Sequence, residues 1–468
     1  MKTAAHKSLI IAIITALITV LSFSQSLIII TPAEASVSNW QKGATMRSSY
    51  SQDFESENFK QSVRNLRATG ADYVTLVFEY HQATEKSAYI YAGSNTPSDE
   101  TLISAINYIH SLGMKVMLKP HLENDSGIWR GFINPTERAT WFASYGTILN
   151  RLAVLAETYD VESLCLGAEL VHMTSPVRNP DNTGRWNSLI ADVRSQYSGF
   201  ITYSANWGGG SFTEAEEIAF WDNLDAIGIS GYFPLATDKA NPTVEELMAS
   251  WTVHYNSMVK PLSDANKGMK ILFTEGGYRN ITGANTTPWD WEKKGESNDE
   301  LQANLYEALF RFWGSKSDFV GLHFWHWSTN PYAGGNMDTD YTPQNKRAQD
   351  VITKWYGGAG VLNTITDFAQ KNSKYKTNIE GIRDGEAVWG NKIITTFLKG
   401  IESTKYDVFW HVDGGVLSKM NSINKKKEVT IDFRKWMWKP SGKYTITFVA
   451  KDLKGRTISE ESVIIFVR

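Results

Sequence analysis

The sequence predicts an α/β fold: a (β/α)8 TIM barrel followed by a small C-terminal all-β, immunoglobulin-like sandwich. Three observations carry this reading. Eight β-rich runs lie between Lys42 and Phe324, most of them separated by segments of helical period. Strands alternating with helices imply a parallel sheet, and eight such units over roughly 310 residues imply a closed barrel. The rival, a doubly wound open sheet, normally shows a Gly-rich phosphate loop after its first strand, and none is present. Beyond Trp355 the helical periodicity fades, and from about Asn363 short β-rich runs separated by turn residues take over.

Each element has its own local signal. Lys42–Arg47 is the first strand. Phe59, Val63 and Leu66 fall at helical spacing, and Gly70 ends that helix. Tyr73–Phe78 is the second strand, with Glu79, Tyr80 and His81 at its end. Leu102, Ile103, Ile106 and Ile109 form the stripe of a helix over Asp99–Leu112, stopped by Gly113. Lys115–Leu118 is the third strand, and Lys119, Pro120, His121, Leu122 and Glu123 stand at its exit. A helix over Pro135–Tyr159 leads to Glu162–Leu166, the fourth strand, which ends in Gly167-Ala168-Glu169-Leu170. A helix over Arg185–Tyr197 precedes Phe200–Ser204, which ends at Asn206 and Trp207. Ala226–Ser230 ends at Tyr232, and a helix over Val244–Leu262 follows. The seventh strand contains Ile271, Leu272 and Phe273 in a row, a run without alternation, as in a strand buried on both faces. Glu275 stands at its end, and Gly276 and Gly277 let the backbone turn tightly there. A helix over Asp299–Trp313 and the strand Phe319–Phe324, ending in Trp325-His326-Trp327, complete the barrel.

The expected organisation is a signal peptide over 1–35, the barrel over 36–356, a linker over 357–362 beginning Gly357-Gly358-Ala359-Gly360, and the sandwich over 363–468. The sandwich strands are Lys392–Phe397, Lys405–Val412, Glu428–Phe433, Lys443–Val449 and Ser459–Val467. Asp413-Gly414-Gly415 and Pro440-Ser441-Gly442 are turns between them, and Trp410 is the expected core tryptophan.

Composition narrows the function. With 468 residues and 42% hydrophobic content the chain can bury large cores. A net charge of -3 leaves no basic footprint for nucleic acid, and the basic run Lys425-Lys426-Lys427 reads as a solvated turn. Lys2, His6 and Lys7 precede apolar runs from Leu9 to Leu21 and Leu27 to Ile30. The A-x-A pattern Ala33-Glu34-Ala35 follows, so a bacterial secretory signal, a secreted enzyme and no membrane association after cleavage are expected. The single cysteine, Cys165, cannot form an internal disulfide and lies inside the fourth strand, where inert burial is its expected state. No Gly-x-Ser-x-Gly elbow points to a serine hydrolase, and no cofactor or metal is implied.

The chemistry rests on Glu169 and Glu275, at the ends of the fourth and seventh strands. Both strand ends point to the same barrel face, so the two carboxyl groups face each other across its mouth. Glycoside hydrolysis needs such a pair, one protonated and one ionised. A gap of about 5–5.5 Å corresponds to retention of configuration and roughly 6.5–9.5 Å to inversion. A dry site raises the pKa of the acid, and nearby donors keep the nucleophile ionised.

Four motifs, Leu118-Lys119-Pro120-His121, Leu166-Gly167-Ala168-Glu169-Leu170, Gly228-Ile229-Ser230-Gly231-Tyr232-Phe233-Pro234-Leu235 and Phe273-Thr274-Glu275-Gly276-Gly277-Tyr278, resemble those of glycoside hydrolase family 113, within clan A. The resemblance spans most of residues 41–356 in the same order. It implies a retaining, β-mannanase-type activity on β-1,4-mannan or manno-oligosaccharides, with Glu169 as acid/base and Glu275 as nucleophile. Most of clan A carries Asn just before the acid/base, where it serves the sugar 2-hydroxyl. Here that position is Ala168, as family 113 also departs, and Asn206 or His121 could take that part.

Other candidates surround the pair. Tyr232 could hydrogen-bond the nucleophile, Trp325 could floor the sugar site, and Trp207 could stack a sugar face. Lys119, His121 and Glu123 alternate, so they share one side of an extended strand end and could meet sugar hydroxyls. Arg47 and Arg279 could serve the nucleophile or pair with barrel acids. Two other functions compete: the same mechanism on another cell-wall or biofilm polysaccharide, and a silent barrel that binds sugar without cutting it. The C-terminal domain could touch cell wall or glycan through Trp436 and Trp438, although core or interdomain packing is the favoured place for those rings.

Overall fold

The computed structural model describes residues 37–208, 213–335, 337–359, 375–412, 418–436, 443–453 and 457–467. The expected signal peptide, linker residues 360–362, the turns at 413–415 and 440–442 and Trp438 lie outside the described residues.

The barrel strands are β1 (Gln41–Arg47), β2 (Tyr73–Gln82), β3 (Lys115–Asn124), β4 (Ser163–Ala168), β5 (Phe200–Asn206), β6 (Ile227–Ser230), β7 (Ile271–Glu275) and β8 (Phe319–Phe324). All neighbouring pairs run parallel. β1 pairs with both β2 and β8, which closes the sheet and rules out the open doubly wound alternative. A two-residue strand, Tyr91–Ala92, folds back antiparallel onto the free end of β2.

Six longer helices connect the strands, α1 (Glu57–Ala68), α2 (Asp99–Ser111), α3 (Arg138–Thr158), α4 (Asn182–Gln196), α5 (Val244–His254) and α6 (Asp299–Trp313), and α7 (Arg347–Tyr356) follows the last strand. Their starts follow capping chemistry. Ser56, Ser98 and Asn298 each accept a backbone N–H from the first turn, and Thr243 with Glu246 forms a capping box. Phe59, Val63 and Leu66 of α1 are fully buried, each contributing about 1.5–3 kcal/mol of apolar burial. The helix expected over Val244–Leu262 is interrupted. A π-helical turn over Tyr255–Val259 separates α5 from a short helix beginning at Lys260, next to Pro261, which has no N–H to continue the α ladder. Between β5 and β6 the described residues form two short helical turns, Glu214–Glu217 and Trp221–Asn223.

The C-terminal module comprises β9 (Thr377–Glu380), β10 (Glu386–Val388), β11 (Asn391–Leu398), β12 (Tyr406–Val412), β13 (Ser418–Lys419), β14 (Asn421–Ile423), β15 (Lys426–Asp432), β16 (Lys443–Asp452) and β17 (Thr457–Val467). They form a four-stranded sheet, β9-β11-β15-β14, and a five-stranded sheet, β10-β17-β16-β12-β13. All pairings are antiparallel except β10 with β17. Residues of both sheets share one core, including Ile394, Leu398 and Ile431 from the first and Tyr406, Phe448 and Ile465 from the second. The core tryptophan is Trp436, 8% exposed, and not Trp410, which is only half-buried and stacks on it at 6.4 Å. Trp436 therefore presents no face for a glycan. The run Lys425-Lys426-Lys427 is not a solvated turn throughout. Lys427 is buried on β15, where its ammonium donates to Ser422 Oγ (2.7 Å) and lies 3.5 Å from Asp407. A tight turn needs only one or two residues, so the strand begins within the run.

Candidate active site

Strand register brings the site together. Lys119, His121 and Glu123 on β3 pair with Val77, Glu79 and His81 on β2, and Ser230 on β6 pairs with Glu275 on β7. The expected third strand stopped at Leu118 because the polar residues beyond it end the apolar run. In the structure these residues continue the strand to Asn124.

Glu275 is 5% exposed and sits in a nest of donors. Lys119 Nζ donates to its Oε1 at 2.6 Å and Tyr232 OH to its Oε2 at 3.0 Å. His121 Nε2 lies 3.2 Å from Oε1. Burial opposes ionisation of Glu275, but the Lys119 ammonium and His121 outweigh it and hold the carboxyl well below the usual glutamate range. His121 is itself buried, and that burial, with the nearby Arg130 charge, pushes it down to about 3, so it remains neutral. Lys119 also donates to Ser204 Oγ and the Thr274 carbonyl, both at 3.1 Å, and is fully buried. Its ammonium thus faces the carboxylate.

Gly276 and Gly277 are not turn glycines, since neither has a positive φ. Gly277 is needed for close approach: a Cβ there would stand 2.1 Å from the Trp325 carbonyl oxygen.

Glu169 occupies a different environment. Its φ of 54° places a non-glycine residue in the left-handed region, at a cost of roughly 1–2 kcal/mol. Its own N–H, donating to the Ser204 carbonyl at 2.8 Å, and the next one, from Leu170 to Tyr203 OH at 2.6 Å, hold that conformation. Asn206 Nδ2 donates to Glu169 Oε1 at 3.1 Å and Trp129 Nε1 to Oε2 at 3.3 Å. Burial and the charge of Glu275 raise the pKa of Glu169, against the opposing pull of Arg130, Asn206 and Trp129. The two carboxyl groups are therefore pushed in opposite directions, one towards the anion and one towards the acid.

The remaining candidates are also located. Trp325, half-buried, lies parallel to the His121 ring at 5.9 Å and 5°. Trp207 packs against Phe233 and Trp289, each at 5.3 Å. Glu123 pairs with Arg130. Arg47 pairs with Glu79, and Arg279 binds the carbonyls of Thr339, Trp291 and Lys293; neither is bonded to the nucleophile.

Three residues of the site escaped the sequence reading. Trp129 and Arg130 come from the loop after β3, where Gly131 leaves room for the Trp129 ring: a Cβ there would be 2.2 Å from it. Glu214 is fully buried under the mouth. Its Oε1 accepts from Tyr203 OH at 2.8 Å and Thr174 Oγ1 at 2.7 Å, and its Oε2 accepts the Asn206 N–H at 2.7 Å. Burial pushes this carboxyl up to about 8 despite those donors. In sequence Glu214 stands in a run with Glu216 and Glu217 and reads as solvated surface. Cys165 is buried in β4, and burial pushes its thiol up to about 11. Among the described residues, no group of three or more His, Cys, Asp or Glu is placed to hold a metal ion.

A closed (β/α)8 barrel with one carboxyl favoured as acid and one as anion at the ends of β4 and β7 defines a glycoside hydrolase. The family model of Glycoside Hydrolase Family 113 matches residues 46–346, and the chain belongs to that family. Among solved structures it is similar to a GH113 β-1,4-mannanase in a complex, with 29% identity over 68% of this chain and 99% of that one and a TM-score of 0.59. It is also similar to the GH113 β-mannanase AaManA from Alicyclobacillus acidocaldarius in complex with ManMIm, with 26% identity over 68% of this chain and 97% of that one, again at a TM-score of 0.59. No curated protein matches.

Proposed function

We propose that the protein is a secreted, retaining β-mannanase that cleaves β-1,4-mannan or manno-oligosaccharides by double displacement. The observation that carries the reading is the opposed ionisation of the pair: Lys119 donates directly to Glu275, while Glu169 is raised by burial and by its partner's charge. Glu275 attacks the anomeric carbon and the glycosidic C–O bond breaks, as Glu169 gives its proton to the departing oxygen. Glu169, now a carboxylate, takes a proton from water, and that water releases the sugar from Glu275. Tyr232 and Lys119 stabilise the nucleophile as an anion before attack and as a leaving group in the second step. Mannan as substrate is supported by the family and by the mannanases to which the chain is similar. Secretion is supported by the N-terminal sequence pattern, and no helix among the described residues is long and apolar enough to cross a membrane.

A panel of polysaccharides, with the product anomer followed by NMR, tests the reading. β-Mannan should be cleaved with retention. Glu275→Ala and Glu169→Ala should each lose on the order of 10⁴-fold or more in turnover, and azide should rescue Glu275→Ala with an inverted product. Wild-type turnover in Glu275→Ala sinks the mechanism, and cleavage of another glycan in place of mannan corrects the substrate.

A further inference from the structure

The β1–β3 side of the mouth carries a second organised surface that the catalytic pair does not use. Glu79 and His81 share a side of β2 with their register partners His121 and Glu123 on β3. His121 reaches Glu275 and lies under Trp325, so Glu79 and His81 stand beside and beyond it over the same mouth. From Glu79 a chain of hydrogen bonds runs outward. Arg47 Nε donates to Glu79 Oε1 at 2.7 Å and Asn95 Nδ2 to Oε2 at 2.5 Å. The other end of the Asn95 amide, Oδ1, bonds His81 Nε2 at 2.9 Å, and His81 Nδ1 bonds Asp125 Oδ1 at 3.0 Å. Tyr91 OH then donates to Asp125 Oδ2 at 2.5 Å.

The Tyr91 ring closes this chain on itself. It stacks on His81 at 6.4 Å and 22°, yet Tyr91 remains 43% exposed. The Arg47 and Asp125 side chains flanking the network are each 51% exposed. Anchoring the loop between β2 and α2 does not require that exposed ring. Thr96 Oγ1 already ties the loop to the Glu79 carbonyl at 2.5 Å, and the Tyr91–Ala92 strand pairs with β2. What the extra groups add is a rigid aromatic face with donors and acceptors held at its rim. A pyranose ring needs that combination, because its C–H face is apolar and its edge carries hydroxyls.

We propose that Tyr91, His81, Asp125 and Arg47 form a further glycan subsite on the β1–β3 side of the mouth, holding a sugar of the substrate chain remote from the bond that is cut. The proposal rests on the glycosidase reading above. Because the sugar held there does not react, the subsite acts on long chains only.

The test compares the full-length wild type with Tyr91→Ala and Asp125→Ala on a series of β-1,4-manno-oligosaccharides, with kcat/KM measured for each length. The expected result is a loss of roughly tenfold on the longest substrates, the value of one good contact, carried mainly by KM, with the shortest cleaved substrate unchanged within about twofold. Equal losses at every length, or no loss at any, overturn the subsite. Both side chains are exposed, and melting temperatures check that the variants fold. Should the wild type cleave no manno-oligosaccharide, the mannanase reading fails first. Calorimetric titration of the same proteins with mannohexaose then decides the subsite separately: weaker binding by the variants supports it, and equal or absent binding overturns it.

Discussion

Glu169 and Glu275 have the same side chain, and their surroundings push one towards the acid and the other towards the anion. Lys119 is the residue that separates them most directly, since its buried ammonium touches only the Glu275 side. Replacing it by Met keeps the stem and removes the charge. Burial of Glu275 is then opposed by fewer partners, His121, Tyr232 and the Arg130 charge, so its pKa must rise. In the proposed mechanism Glu275 attacks as the anion, so activity is lost as pH falls through its pKa. The acid limb of kcat/KM should therefore lie at low pH in the wild type and move to higher pH in Lys119→Met, with turnover reduced at least tenfold at its optimum. An acid limb that stays in place would show that Lys119 does not set the ionisation of Glu275. The chemical type of this residue was legible in sequence, since it stands at a strand exit beside His121. Its role was not, because alternation along β3 says which side Lys119 faces but not that Glu275, 156 positions away, fills that space.

At the level of elements, the end of β4 is held by a neighbour rather than by its own strand. The left-handed backbone at Glu169 is tied to β5 through the Ser204 carbonyl and Tyr203 OH, and Glu214 in the following turn gathers Tyr203, Thr174 and the Asn206 N–H. Asn206 in turn donates to Glu169. Glu214→Ala removes the acceptor shared by Tyr203 OH, Thr174 Oγ1 and the Asn206 N–H. Asn206 should lose its position, and kcat should fall roughly tenfold to a hundredfold, as expected for a small displacement of a catalytic group. Loss of the Asn206 bond should also raise the pKa of Glu169 and carry the basic limb of the pH profile upward. A variant that is merely less stable would show neither the kinetic loss below its melting temperature nor the shifted limb. The helices and strands themselves were readable because apolar spacing and capping residues are local signals. The exits of β2 and β3 were underestimated, since the residues that carry chemistry there are polar and interrupt the pattern that announces a strand.

For the whole molecule, the family match ends at residue 346, and the similar mannanase chains are covered over 97–99% of their length by 68% of this one. The C-terminal sheets have a core of their own, built from Tyr406, Phe433, Trp436, Tyr444 and Phe448 among others. A chain ended before Asn363 should therefore keep oligosaccharide cleavage within about threefold of the full-length enzyme, as expected where few contacts cross a domain boundary. Kinetics of the truncated and intact proteins on one oligosaccharide would check this, and complete loss of activity would show that the module supports the barrel. Among the described residues, Tyr332, in the loop after β8, stacks on His411 of the module at 5.9 Å.

The sequence by itself determined the barrel, the following β module and the placement of Glu169 and Glu275 at the ends of the fourth and seventh strands. These follow from periodicity and strand counting, which are properties of neighbours along the chain. Only the tertiary structure decided that Lys119 belongs to Glu275, that Trp436 and not Trp410 fills the module's core, that Gly277 is required by the Trp325 carbonyl, and that Glu214 lies buried beneath the acid. Each depends on atoms distant in sequence meeting in a space too small for water, where burial and partner charge, not residue type, set what a group does.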